Sequence, residues 1–218
     1  MTRPSGDEVR SYLLGQVDLA LRRPDVYGGE MSLPVLLRAA AFAHGRVEDR
    51  EAEQEAFRAR GVANAAIVGG GVEVFFGFRD HDLVASVYAE GAHRRGRLTL
   101  DRTPSPAEHR RLRGTAGPWA AVDRDHHEVV DEFGPPSVLI GGTNPKYGKT
   151  LGYGTADPLV FFHLWNGNRP GDPDTRPPPR PEPLLLAVRH GDAGFADAVT
   201  FTPRGADLRA RFLDAAGR

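Results

Sequence analysis

The sequence predicts an α+β protein in which N-terminal helices pack on a mainly antiparallel mixed sheet. Helical periodicity dominates the first 61 residues, whereas a period of two begins near residue 72. The predicted strands are grouped and do not alternate regularly with helices, which argues against repeated βαβ units. We interpret residues 1–218 as a single domain with a helical layer at 1–61, a sheet-centred core at 62–218 and a proline-rich connector at 168–183.

Composition limits the classes of function. The chain has 218 residues, a net charge of −1, 40% hydrophobic residues and no cysteine. Without cysteine there is no disulfide framework, thiolate nucleophile or zinc–sulfur site. The small net charge gives no support for a general nucleic-acid or membrane surface. No apolar run approaches the ~18 residues of a transmembrane helix, and the first residues lack a secretion-signal pattern. We therefore expect a soluble cytoplasmic protein.

Three helices are predicted in the N-terminal layer. The first spans 7–23, where apolar residues recur at helical spacing and Pro24 follows. The second begins with Ser32 as N-cap and runs to His44. The third spans 47–60 and is mostly charged, which predicts a solvated helix anchored by a single phenylalanine.

Alternating side chains predict strands after this layer. Apolar residues alternate over 72–78 and again over 83–89, and a third short strand is predicted at 97–100. The loop at 79–82 would join the first two strands into a hairpin or meander. The spacing predicts antiparallel pairing.

The second half of the chain is predicted to return to helices and then to strands. A capping box at residues 105–108 begins a short helix that Gly114 and Gly117 end, and a second helix covers 118–133. Four further strands and a closing helix follow; the strands are predicted at 137–141, 159–165, 184–189 and 198–202, and the helix begins at Thr202 and Pro203.

The only two lysines of the chain, Lys146 and Lys149, lie in a glycine-rich loop at 141–150 that we call the Lys loop. A P-loop needs four residues between its first glycine and Gly-Lys-Thr, whereas Gly142 leaves five, and the following residues cannot open a helix. Two ammonium groups with free N–H groups and hydroxyls still predict an anion-binding edge or a polar protein-binding rim. The alternative is a solvated hairpin loop.

Aromatic and polar residues near the Lys loop and in the first turn complete the predicted binding set. These residues are Asn144, Lys146, Tyr147, Lys149, Thr150, Tyr153, Trp165 and Tyr27. Mixed aromatic and charged loops of this kind fit an interface with an apolar centre and a polar rim.

Two histidines are candidates for catalysis. Alternation places His163 beside Phe161 and Trp165 on one face of the sheet, where it would act as a base or a hydrogen-bond donor. The alternative is a core histidine with its hydrogen bonds satisfied. The chain has no GxSxG elbow for nucleophilic catalysis.

The other candidate, His127, lies four residues after Asp123 and four before Asp131. On the predicted helix 118–133 these three side chains share one face, so a divalent metal is possible there, while His126 falls on the apolar stripe. The alternative is an exposed charged face. No other cofactor is predicted.

The segment Arg23-Pro-Asp-Val-Tyr-Gly-Gly29, which we call the RPDVYGG turn, resembles two groups of proteins. One is the RPxxYxG turn of type II topoisomerases, but that family's acidic helix and glycine motifs are absent, so we do not infer homology. The first 45 or so residues also resemble small bacterial RPxMYxG proteins, some of them immunity proteins of polymorphic toxin systems. This second resemblance implies a cytoplasmic binding protein that neutralises a toxin, and it assigns no catalytic residues.

We therefore predict a soluble protein-binding module, with an immunity-type inhibitor of a toxin or enzyme as its most specific form. The alternative is a small enzyme or ligand-binding protein that acts on an anionic small molecule through the Lys loop. In that case a hydrolase- or lyase-type reaction would use His163 or His127. The predicted partner is another protein or an anionic small molecule, and neither nucleic acid nor a membrane.

Overall fold

A computed structural model describes residues 3–62, 68–155, 158–167, 178–191 and 193–217. Residues 168–177 of the predicted proline-rich connector lie outside these ranges. Within them the chain forms helices first, then a sheet, then one closing helix. The helices are α1 (Gly6–Arg22), α2 (Gly29–Ala43), α3 (Val47–Ala59), α4 (Val68–Phe76), α5 (His81–Arg94), α6 (Pro106–Trp119), α7 (His126–Phe133) and α8 (Pro203–Ala215).

The sheet is an antiparallel meander in which each strand pairs with the next one in sequence. Its strands are β1 (Val138–Gly141), β2 (Lys149–Tyr153), β3 (Val160–Trp165), β4 (Leu184–Arg189) and β5 (Val199–Phe201). The predicted α+β class is confirmed. Strand β2 was not predicted, because Gly152 and the lysine before it resemble a loop. Gly152 is required there, since a Cβ would lie 2.6 Å from Val138 on one side and 3.0 Å from Phe161 on the other.

The strands predicted between residues 72 and 100 are wrong. Residues 72–76 belong to α4, residues 83–89 belong to α5, and residues 97–100 form no strand. The alternation was uninformative because α5 is enclosed on all sides: every residue from 83 to 92 is buried. A helix without a polar face offers no 3.6-residue period, so a chance period of two dominates the sequence pattern.

Three helix boundaries also differ from the predictions. Helix α2 begins three residues before Ser32, because left-handed Gly28 (φ 89°) and Gly29 (φ 64°) turn the chain directly into it. Helix α6 continues through Gly114 and ends after Pro118, so the predicted helix 118–133 is shortened to α7, which Asp125 caps.

Both faces of the sheet are covered. One hydrophobic cluster joins α1, α2, α4 and α5 to the sheet face that carries Phe161, and a second joins α6 and α7 to the face that carries Phe162. Consecutive strand residues point to opposite faces, so β3 contributes to both clusters. The predicted closing helix is confirmed as α8, whose N-cap Thr202 accepts a hydrogen bond from the Gly205 N–H. In the described part of the chain no helix has the length and apolar character needed to cross a membrane.

Candidate functional site

A cleft of about 630 Å³ lies where four separate segments of the chain meet. Its walls come from the RPDVYGG turn after α1, the segment 79–82 that begins α5, the Lys loop and the end of β3. Its lining residues are Arg23, Pro24, Asp25, Val26, Arg79, Asp80, His81, Asp82, Gly141, Gly142, Tyr147, Gly148, Trp165, Asn166 and Gly167. The fold therefore brings the RPDVYGG turn and the Lys loop to one place.

Glycines shape the first wall of the cleft. In the RPDVYGG turn the Gly29 N–H donates to the Pro24 carbonyl at 2.7 Å, and Tyr27 packs against the main core instead of lining the cleft. The His81 ring lies so close to Gly29 that a Cβ on Gly29 would be 2.9 Å from the nearest ring atom. Gly29 thus permits the close approach of the turn to the start of α5.

The start of α5 is fixed by a capping aspartate. Asp80 accepts hydrogen bonds from the backbone N–H groups of Asp82 at 2.9 Å and Leu83 at 3.0 Å. This places His81 and Asp82 in the first helical turn at the cleft. The His81 Nδ1 lies 2.6 Å from the Asp25 Oδ1, so an aspartate–histidine pair joins α5 to the RPDVYGG turn.

The Oδ1 of Asp82 is buried and has no hydrogen-bond partner among the described residues. A side chain at Gly141 (φ 104°) would overlap this carboxyl, so the Lys loop needs glycine at that position to admit it. Burial, with added repulsion from Asp80 and Asp25, raises the pKa of Asp82 to about 8, against the opposing charges of Lys149 and Arg23.

Asp80 and Asp82 share this environment. Burial also raises the pKa of Asp80, but the hydrogen bonds that its carboxylate accepts from two backbone N–H groups favour its charged form. We therefore place the proton of this coupled pair on Asp82.

Most charged residues of the cleft are already paired with the protein's own groups. Asp25 is paired with His81, Asp80 caps α5, and the Arg79 Nε lies 3.5 Å from Glu73. Among the described residues the Arg23 side chain makes no hydrogen bond or ion pair. Arg23 and Asp82 therefore remain as one positive and one acidic group without partners.

The Lys loop differs from its prediction in one important respect. Lys149 is buried at the start of β2, and its Nζ donates to the carbonyl oxygens of Gly142 at 3.1 Å and Asn144 at 2.6 Å. Burial lowers its pKa, while the charge of Asp82 opposes that change. The predicted pair of projecting ammonium groups is therefore wrong: Lys149 holds the loop together, and only Lys146 is exposed.

The rest of the predicted binding set is divided between the cleft and other places. Tyr147 and Trp165 line the cleft, and Tyr147 is 49% exposed. Asn144 shapes the loop, since its Oδ1 accepts from the Lys146 N–H at 3.0 Å. Tyr153 is buried on the opposite face of the sheet and donates its hydroxyl to the Gly134 carbonyl at 2.9 Å.

The predicted catalytic histidine His163 does not reach the cleft. It is buried beside Phe161, and its Nδ1 lies 3.1 Å from the hydroxyl oxygen of Thr150 on the paired strand. Burial holds the pKa of His163 well below its ordinary value. Both His163 and Thr150 have the surroundings of core residues.

The helix that would have aligned Asp123, His127 and Asp131 does not exist, because α7 begins only at His126. Asp123 instead accepts a hydrogen bond from the Arg204 N–H at 2.7 Å. His127 lies 2.9 Å from Glu182 across the surface, and this hydrogen bond raises the pKa of His127. No three His, Asp or Glu side chains in the described ranges are arranged to hold a metal ion.

Sequence reasoning missed the charged residues of the cleft. From the sequence, Arg23 and Asp25 stand out only within the RPDVYGG turn, and residues 79–82 are interpreted as a loop between strands. One local pattern could have placed residues 80–82 at the start of a helix: Asp80 followed by Asp82 and an apolar run is typical of a helix N-terminus. Comparison of the chain with protein-family models, curated proteins and solved structures found no match.

Proposed function

We propose that this protein is a ligand-binding protein and that the cleft is its binding site. The observation that supports this most is the convergence of the RPDVYGG turn, the start of α5 and the Lys loop around about 630 Å³ of concave space. Binding sites for small molecules have volumes of roughly 300–1,000 Å³ and combine apolar walls with a few convergent polar groups. Here Val26, Tyr147 and Trp165 supply the walls.

The cleft is also preorganised. The Lys149 ammonium bonds two carbonyls of the Lys loop, and the pair of Asp25 with His81 ties the opposite wall. Groups held in this way lose little freedom when a ligand binds, so more of the contact energy appears as affinity. The Asp82 carboxyl, whose Oδ1 has no partner in the described part of the chain, would gain a hydrogen bond from a ligand, which offsets the cost of its burial.

A fragment screen followed by ¹H–¹⁵N NMR on the whole chain tests this proposal. We expect the amide shifts caused by bound fragments to concentrate in residues 23–26, 79–82 and 141–148. Gly141→Ala, which displaces the Asp82 carboxyl, should weaken these hits, whereas Gly114→Ala on the open side of α6 should not. Fragments that bind only elsewhere, or not at all, would refute a binding site in the cleft.

A second candidate is the protein-binding module of immunity type. It is favoured by an exposed apolar stripe on α2, made of Met31, Val35 and Phe42, of which Phe42 is 78% exposed. Large apolar side chains grouped on the outer face of a helix often mark a protein interface. The partner would be a protein, as the resemblance of the first 45 residues implies.

This candidate can be tested with the product of the gene that lies next to this one in its genome. The wild-type chain should form a complex with it, and Val35→Glu or Phe42→Glu should abolish the complex while leaving the thermal midpoint nearly unchanged. Val122→Glu, at an exposed apolar residue outside α2, is the matched control. Complex formation that survives both α2 variants would exclude the stripe as the interface.

A further inference from the structure

We infer that the cleft recognises a zwitterion of the α-amino-acid class, with the Arg23 guanidinium on its carboxylate and the Asp82 carboxylate on its ammonium group. This inference rests on the proposed function, because it names the ligand class of the same cleft. It follows from which charged and acidic groups of the cleft have no partner among the residues that the structure describes.

The first step is the pairing within the cleft. Asp25, Asp80 and Arg79 are engaged by His81, by the backbone of α5 and by Glu73, respectively. Among the described residues two groups of the cleft are left over: Arg23, which is positive, and Asp82, which is acidic. A ligand with only a cationic group would leave Arg23 unpaired, and one with only an anionic group would leave Asp82 unpaired.

The second step is the relation between these two groups. The charge of Arg23 acts on Asp82 and partly opposes the rise of its pKa. No ion pair between these two side chains is found among the contacts of the described residues. Both side chains line the same cleft, so a molecule bound there can contact both of them. The ammonium and carboxylate of an α-amino acid sit on one carbon, so one small ligand supplies both partners.

The third step concerns the side chain of the ligand. The lining residues next to these charges include Val26, Tyr147 and Trp165, and Val26 is 77% exposed at the rim. Burying apolar ligand surface against them contributes about 25 cal/mol per Å². An amino acid with an apolar or aromatic side chain therefore fits better than glycine.

The groups around Asp82 give the pH dependence of binding. Asp80 on α5 and Asp25 on the RPDVYGG turn disfavour its ionised form, while Lys149 on β2 and Arg23 favour it. Binding of an ammonium group needs the ionised carboxylate, so affinity should rise as the pH increases toward about 8. Binding should release a proton at neutral pH.

Isothermal titration of the whole chain with phenylalanine and leucine tests the inference. The matched probes are N-acetylphenylalanine, which lacks the ammonium group, phenylalaninamide, which lacks the carboxylate, and glycine, which lacks the side chain. We expect each probe to bind about tenfold or more weaker than phenylalanine, because each leaves one group of the cleft unpaired or uncovered. Titrations in buffers of different ionisation enthalpy should show the released proton.

Variants assign the two charges. Arg23→Gln and Asp82→Asn should each weaken phenylalanine binding about tenfold or more, Arg23→Lys should restore part of it, and Arg38→Gln on the outer face of α2 should have no effect. Equal affinity for phenylalanine and its two blocked forms would overturn the inference, as would unchanged binding by Asp82→Asn. If other fragments occupy the cleft while no amino acid does, the inference fails and the proposed function stands. If nothing occupies it, both fail.

Discussion

Replacing Asp82 with asparagine tests whether this carboxyl group destabilises the folded protein. Burial raises its pKa from 3.8 to about 8 in the folded state, whereas an unfolded chain leaves it near 3.9. At pH values between these two pKa values, Asp82 keeps its proton in the folded state but has lost it in the unfolded state. The free energy of unfolding therefore falls as the pH rises from about 4 to about 8, and it changes no further above that.

The size of the effect follows from the same pKa. Each tenfold step in the dissociation constant corresponds to about 1.4 kcal/mol, so a rise from 3.8 to about 8 sets an upper limit of about 5–6 kcal/mol. Solvent at the open cleft screens the charge, so we expect about 2–3 kcal/mol of lost stability between about pH 5 and pH 8.5. The uncharged amide of Asp82→Asn has no such dependence.

The assay is urea unfolding of the wild type and Asp82→Asn at several values between about pH 5 and pH 8.5. The difference between the two proteins removes the contribution of every other titrating group. We expect the variant to become the more stable protein as the pH rises, while Asp214→Asn, at an exposed residue of α8, should follow the wild type. A difference that stays constant with pH would refute the assignment of a raised pKa to Asp82.

Three further predictions concern packing and titration. Gly205→Ala should lower the free energy of unfolding by about 4 kcal/mol or more, or prevent folding, because its Cβ would overlap the Leu186 carbonyl in the backbone of β4; guanidinium unfolding measures this. Gly114→Ala, by contrast, should raise the free energy of unfolding by about 0.5–1 kcal/mol, since open space surrounds this helical glycine; any loss of stability would contradict the position of Gly114 inside α6. Glu182→Gln should lower the pKa of His127 in an NMR titration, because it removes the charged hydrogen-bond partner that raises it; an unchanged titration would exclude that contact.

The sequence predicted elements well where local chemistry decides them. Strand β4 was predicted with the observed bounds, helices α1 and α3 were predicted to within one residue at each end, and the start of α8 was predicted correctly. Caps and prolines fix such helix ends through groups that are neighbours in sequence. Strands β3 and β4 are buried along their whole length because both faces of the sheet are covered.

The errors occurred where burial removes the local pattern. Helix α5 has ten consecutive buried residues and no solvent-exposed face over that stretch, so its sequence lacks the alternation of polar and apolar faces that reveals a helical period. Strand β2 contains Gly152, which is placed there by the side chains of two neighbouring strands. Both features depend on residues distant in sequence.

The candidate site likewise has features that the sequence indicates and features that only the folded structure shows. The sequence alone singled out the RPDVYGG turn and the Lys loop as unusual segments, and both line the cleft. It could not show that Lys149 turns inward to bond loop carbonyls, because that choice depends on the position of Gly142 and Asn144 in the folded loop. Nor could it select Asp82, whose raised pKa results from the summed burial and charge of groups on several elements.

Composition and local pattern thus determined the α+β class, the absence of thiol chemistry and the capped starts of α6 and α8. The tertiary structure alone decided which charged side chains face one another and which have no partner in the described ranges. The physical reason is range: capping and turn formation act between residues a few positions apart, whereas burial and electrostatic pairing act through space. At the cleft, burial and electrostatic pairing with distant residues decide the surroundings of Arg23 and Asp82.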